Sequence, residues 1–259
     1  MQSELFKPLS KPWQPHGYQK KAVKFLLEHA ASALFLDPGL GKTSITLAAI
    51  KMLKQKKVLD KVLLIAPLRV CYSVWPKEVE KWEDFSGIRV CVLHGPNKDE
   101  LLKQDADVYV INPEGLEWLL QVEKTKTSSG KTKVSVNLRR WKSFGFDTLV
   151  IDELSKFKHT NTNRFKALKM VLNTFRRRWG LTGSPASNGL MDLVRPVLRP
   201  RPRADLGTLH HALSDEVLRC RATTASTGTC VKGPRRRFTS AWHHWLCAWR
   251  LRTTSTCRP

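Results

Sequence analysis

Apolar positions along the chain follow two rhythms. His16 to Leu27 places Tyr18, Ala22, Phe25 and Leu26 at i, i+4, i+7 and i+8, the spacing of an amphipathic helix. Ser32-Ala33-Leu34-Phe35 is instead a continuous apolar run, followed by a glycine turn and a second helical stretch over Ile45–Ile50. Lys61–Ala66 has the uninterrupted apolar character of a strand buried on both faces of a parallel sheet. A helix is expected over Tyr72–Trp82, with Pro76 tolerated only near its start. Further strands are expected at Ile88–Gly95, Asp107–Asn112, Phe146–Glu153 and from Arg177 into the polar turn at Thr182-Gly183-Ser184-Pro185. Helices are expected from Pro113 and over Asn161–Leu172. Lys124–Lys133, polar and basic around a Ser-Gly turn, reads as an exposed hairpin or loop. Strands alternating with helices predict an α/β fold with a parallel, doubly wound sheet. Ligands of such sheets bind beyond the carboxyl ends of the strands, the edge that Lys42, Asp152 and Thr182 share.

Charge changes the picture along the chain. The net charge is +23, which implies a polyanionic partner, most simply nucleic acid. Through Val194, 24 Lys and 8 Arg face 19 acids; from Arg195 onward, 12 Arg and 1 Lys face 3 acids. Residues 195–259 also contain no Ile, Asn, Gln or Tyr. Residues 1–194 and 195–259 are therefore expected to be separate units, the second a poorly ordered, Arg-rich basic C-terminal tail in which Trp242, Trp245 and Trp249 could line one short helix. None of the cysteines (Cys71, Cys91, Cys220, Cys230, Cys247, Cys257) has C-x-x-C spacing, and Cys71 and Cys91 read as packing residues. No stretch of about 18 apolar residues would span a membrane, and the first residues lack a secretory core. The expectation is an intracellular, cytoplasmic protein.

The candidate chemistry begins at Leu36-Asp37-Pro38-Gly39-Leu40-Gly41-Lys42-Thr43-Ser44. Between a strand and a helix, glycines let successive N–H groups wrap a phosphate at the helix's positive end. Lys42 would reach the β/γ-phosphates and the Thr43 hydroxyl would sit on Mg²⁺. Leu36 stands where the P-loop pattern has its first glycine. The bland alternative is a glycine-rich turn with no ligand. Gln19 offers a donor and an acceptor suited to the N6/N7 edge of adenine, or is simply a solvated surface residue. Asp152-Glu153 ends the fifth strand: Asp152 would hold Mg²⁺ through water opposite Thr43, and Glu153 would deprotonate the attacking water. Two acids at a strand end are otherwise helix caps.

D-P-G-L-G-K-T, A-P-L-R, D-E-L-S-K-F-K and L-T-G-S-P-x-S-N, in that order after Q-P-H-G-Y-Q, resemble the superfamily 2 helicase-like ATPases, and most of all the Swi/Snf-related branch in its compact phage and bacterial form. The resemblance covers residues ~13–194 and implies a RecA-like P-loop NTPase lobe, an ATP hydrolase with ATP and Mg²⁺ as cofactors, and double-stranded DNA as partner. It implies that Gln19 reads adenine, that Gly39, Gly41, Lys42 and Thr43 form motif I, and that Pro67, Leu68 and Arg69 touch the nucleic-acid backbone. It implies likewise that Asp152 and Glu153 form motif II and that Thr182, Gly183 and Ser184 couple ATP state to DNA grip. Leu154-Ser155 stands where the family more usually has Ala-His.

Motors of this family place ATP between two RecA-like lobes, and the second supplies arginine fingers worth about 10³–10⁵ in rate. The 65 residues after Val194 are too few for that lobe, so weak turnover is expected. Permitted codons for Val194–Arg219, read one nucleotide downstream, can spell S-A-Q-F-F-A-L-D-R-G-Q-T-L-G-R-C-I-T-H-F-R-T-R-Y-F, which resembles how phage members continue. A frameshift near Leu193-Val194 is one expectation for the tail, and a genuine Arg-rich arm is the other. For the whole chain, a nucleic-acid-binding module without motor activity is the alternative to the ATPase.

Overall fold

The structure, a computed structural model, describes residues 10–126, 132–154 and 162–183 and, as backbone alone, 217–220. The chain divides into two compact units, and every described residue belongs to the first, Met1–Leu209 with Asp215–Ala222.

Its centre is a parallel sheet built from β1 (Ala31–Leu36), β2 (Lys61–Ile65), β3 (Val90–Val92), β4 (Val108–Ile111), β7 (Phe146–Asp152), β8 (Arg177–Thr182) and β9 (Val217–Cys220). The strand order is β3-β4-β2-β7-β8-β1-β9. β5 (Glu123–Lys126) and β6 (Thr132–Ser135) form a separate antiparallel hairpin, exposed along β5, in the segment expected to be a hairpin or loop. The helices are α1 (Gly17–Glu28), α2 (Lys42–Gln55), α3 (Leu68–Ser73), α4 (Trp75–Lys81), α5 (Lys98–Leu101), α6 (Leu116–Leu119), α7 (Leu138–Ser143) and α8 (Asn163–Val171).

Nearly every position of β1, β2, β4, β7 and β8 is buried, because helices cover both faces. Side chains pointing either way therefore must be apolar, which is why these strands read as unbroken runs. Cys71 and Cys91 are buried in this core, and burial pushes the Cys71 thiol up to about 12. The segment before α1 straps back across the fold. Lys11 exchanges backbone bonds with Lys81 and Glu83, and the Trp13 N–H donates to Asp84 Oδ2 at 2.7 Å.

The structure departs from expectation in several places. The helix expected over Tyr72–Trp82 is two helices broken at Val74, because Pro76 has no N–H and fits only in a first turn, so α4 starts anew at Trp75. The helix expected from Pro113 begins as a 3₁₀ turn, Pro113–Gly115, before α6. The third strand shrinks to Val90–Val92 at the sheet edge. Helix α7 was not anticipated; Asn137 caps it by accepting the Arg140 N–H at 3.0 Å. In the segment expected to be a poorly ordered tail, Val217–Cys220 forms β9 beside β1, extending the sheet beyond the six strands read from the sequence. The other residues of 195–259, and with them the helix expected around Trp242–Trp249, lie outside the described residues. Among the described residues, no helix is long and apolar enough to cross a membrane.

Candidate active site

Parallel strands put their carboxyl ends on one edge. Phe35 pairs with Thr182, and Asp152 with Leu181, so the turns after β1, β7 and β8 open side by side at strand spacing of about 4.8 Å.

The turn after β1 takes a glycine-dependent path. Gly39 and Gly41 have φ of 84° and 74°, in the left-handed region. Gly41 is also the N-cap of α2 and brings no side-chain cap, and no acid stands in the first helical turn. The helix thus presents its positive end uncapped to the space beyond the sheet. The Lys42 ammonium donates to the carbonyl oxygens of Leu36 at 2.7 Å and Asp37 at 3.2 Å. Burial lowers its pKa, against the pull of Asp152, Glu153 and Asp37.

Gln19 does not behave as a solvated surface residue. It is 7% exposed. Its Oε1 accepts the His16 N–H at 2.9 Å, closing the first turn of α1, and its Nε2 donates to Leu40 O at 3.3 Å. The amide therefore ties α1 to the phosphate loop, and a Cβ on Gly41 would stand 2.6 Å from Nε2.

Asp152 ends β7, partly buried, and burial raises its pKa, opposed by the Trp75 indole N–H and by Lys42. That N–H donates to Asp152 Oδ2 at 3.0 Å. Glu153 follows with φ of 62°, an uncommon conformation for a residue with a side chain, and its Oε1 accepts from Thr182 Oγ1 at 3.0 Å. A Cβ on Gly183 would lie 3.2 Å from Pro38 Cδ, so the turn after β8 rests against the phosphate loop. Leu154 is buried over Gly180, where an added Cβ would collide with Leu154 Cδ1. The bare glycine makes room for the larger side chain.

Pro67 is the N-cap of α3, which carries exposed Leu68 and Arg69 into solvent from the end of β2. Ser184 and Ser155–Lys158 lie outside the described residues. The structure thus brings Gln19, Asp37–Ser44, Asp152, Glu153, Thr182 and Gly183 to one edge, with Pro67–Arg69 beyond β2. Sequence reasoning missed Trp75 and Glu78. Glu78 Oε1 accepts from Ser44 Oγ at 2.5 Å and from Trp82 Nε1 at 2.7 Å. No signal in the sequence pointed to either contact, since their partners lie 77 and 34 residues away in the chain.

The model of the SNF2-related domain matches residues 18–206. The chain belongs to the SNF2-related family. It is the N-terminal, RecA-like lobe of that helicase-like ATPase architecture. It is 32% identical over 192 residues to the putative protein p41 of Acyrthosiphon pisum secondary endosymbiont phage 1, covering 71% of this chain and 38% of that protein. It is 28% identical over 185 residues to the DNA excision repair protein ERCC-6-like of Bos taurus, covering 70% of this chain and 14% of the relative. Among solved structures, the SWI2/SNF2 ATPase core of Sulfolobus solfataricus in complex with dsDNA superposes with a TM-score of 0.54 at 24% identity, over 76% of this chain and 38% of that one. The chain thus spans well under half the length of these relatives.

Proposed function

We propose that the chain is the ATP-binding lobe of a DNA-dependent ATPase and translocase. The observation that carries this reading is the convergence of the Lys42 ammonium, the uncapped first turn of α2 and the Asp152–Glu153 carboxylates at one sheet edge. The positive-φ glycines and uncapped helix end suit a polyphosphate, and the acid pair opposite suits its divalent cation. Mg²⁺, when bound, would neutralise charge on the β- and γ-phosphates.

In this reading the backbone of Asp37–Ser44 cradles the phosphates and Lys42 leaves the loop carbonyls for them. Thr43 and Asp152 would hold the cation. Glu153 orients the attacking water and takes its proton as the γ-phosphate is transferred. Gln19, already against the loop, meets the adenine edge. Arg69, with Pro67 and Leu68, meets the DNA backbone. Thr182, Gly183 and Ser184 pass nucleotide state to that grip. The family and the dsDNA bound to the archaeal core support DNA as the polyanion for this strongly basic chain.

The reading extends to turnover. A lobe of this kind that meets no arginine from a partner lobe hydrolyses ATP slowly. To test this, ATP binding and DNA-stimulated hydrolysis are compared in wild type and Lys42→Ala. Lys42-dependent nucleotide binding with little turnover is expected. Robust Lys42-dependent turnover refutes the slow-lobe reading, and binding of DNA without nucleotide favours a DNA-binding module that kept only the fold.

A further inference from the structure

Helix α4 has seven residues, yet it makes long-range polar bonds to both halves of the candidate cation seat. Trp75, its first residue, is fully buried. A buried indole N–H must find an acceptor, and it finds Asp152 Oδ2 at 3.0 Å, 77 residues away in the chain. Three residues on, Glu78 Oε1 accepts from Ser44 Oγ at 2.5 Å. Ser44 belongs to the first turn of α2, immediately after Thr43. Residues three apart lie on one helical face, so a single face of α4 touches the strand-end acid and the phosphate-loop helix together. Trp82 Nε1 donates to the same Glu78 oxygen at 2.7 Å and so orients that carboxylate from the C-cap of the helix.

We propose that Trp75 and Glu78 are positioning residues for the divalent cation that accompanies the nucleotide, an inference that rests on the nucleotide-binding reading above. Trp75 holds the Asp152 carboxylate with a neutral donor that does not compete with a cation for charge. Glu78 pins Ser44, and through it the turn that presents Thr43. Outer-shell partners of this kind typically carry about 10–100-fold in metal affinity. Phenylalanine at 75 would fill most of the indole's volume without its N–H. Glutamine at 78 would keep an oxygen able to accept from Ser44.

The test is calorimetric titration of the non-hydrolysable analogue AMP-PNP into the full chain, once with Mg²⁺ and once with EDTA. Wild type binds more tightly with Mg²⁺. Trp75→Phe and Glu78→Ala are expected to lose about tenfold of that Mg²⁺-dependent gain with EDTA affinity unchanged, and Glu78→Gln to retain it. Trp141→Phe is the matched control. Trp141 is also buried and donates its N–H to Thr174 Oγ1 at 2.8 Å. It packs on Phe146, at the opposite end of β7 from Asp152, so its gain should persist. A full Mg²⁺ gain in both Trp75→Phe and Glu78→Ala, with Lys42→Ala still abolishing binding, overturns the positioning role alone. Unchanged binding in Lys42→Ala overturns the nucleotide reading itself. Should Trp75→Phe fail to fold, the contrast between Glu78→Ala and Glu78→Gln decides.

Discussion

The Thr182 hydroxyl donates to Glu153 Oε1 across 3.0 Å, joining the last residue of β8 to the first residue after β7. Thr182 is completely buried, which shields the bond from water. Glu153 is held at φ 62°, a conformation that costs a residue with a Cβ roughly 1–2 kcal/mol. A strained residue persists only where its surroundings over-determine it, and this bond is one such constraint. It gives the proposed coupling between the Asp152–Glu153 pair and the turn after β8 a direct physical path.

Thr182→Val keeps the shape of the side chain and removes the donor. Single-turnover hydrolysis is expected to slow about tenfold, the loss of roughly 1.4 kcal/mol of transition-state stabilisation, with nucleotide affinity unchanged. Thr182→Ser keeps the hydroxyl and should keep the rate. Equal rates in Thr182→Val and wild type would show that the bond does not act on the chemical step.

Gly41 joins two constraints at one atom. Its φ of 74° disfavours any Cβ, and that Cβ would stand 2.6 Å from Gln19 Nε2. Gly41→Ala should therefore lose nucleotide binding by more than tenfold, because loop path and α1 anchor shift together, and should lower stability by about 1–2 kcal/mol. Gly17→Ala, with nothing within 4 Å of its added Cβ in the first turn of α1, should be neutral or stabilise by up to about 1 kcal/mol. Urea unfolding and nucleotide titration of both variants check the contrast.

The strands and the phosphate loop were legible because their causes are local. Lys61–Ile65 and Phe146–Asp152 are buried on both faces and so read as apolar runs, and Gly39 and Gly41 announce a path only glycine takes easily. Trp75 was visible as a residue, but its acceptor lies 77 residues away and nothing beside it in the chain points there. Gln19 was ambiguous for the same reason: a helix-surface pattern does not reveal that Leu40 folds over it. Helix α7 spans only Leu138–Ser143, too short to establish a period. β9 has four residues inside an Arg-rich stretch, where composition pointed away from a strand.

Asp107 supplies a pH dependence at the far end of the sheet. Burial pushes its carboxyl up, but the Arg89 side chain and backbone and the Lys54 ammonium outweigh that, and its pKa lies below the ordinary 3.8. A depressed carboxyl pKa means the unfolded chain takes up the proton first as pH falls. The stabilisation is therefore complete above the ordinary value and is lost as pH drops below it. Lys54 reaches Oδ1 at 2.6 Å and Arg89 at 3.1 Å, both from partly solvated positions. Asp107→Asn is thus expected to cost about 1–3 kcal/mol near neutral pH. Urea midpoints should show that gap holding from pH 7 to about 5 and narrowing below 3.8. A gap independent of pH would mean that packing, and not charge, explains the loss.

Leu154 and Gly180 form the last testable pair. Leu154 occupies the space that a side chain at this point of β8 would need. Gly180→Ala should overpack the site, at a cost of about 1–3 kcal/mol. Leu154→Ala should leave a cavity, at a cost of about 2–5 kcal/mol. If the two residues fit each other, the double variant relieves the overpacking and refills part of the cavity, and its loss falls well short of the sum of the single losses, giving a coupling energy of about 1–3 kcal/mol. Additive losses would mean that the two sites do not share one space. Because Leu154 directly follows Glu153, the same variants report on chemistry as well. Gly180→Ala should slow hydrolysis by displacing Glu153, and the added Leu154→Ala should recover that rate along with the stability.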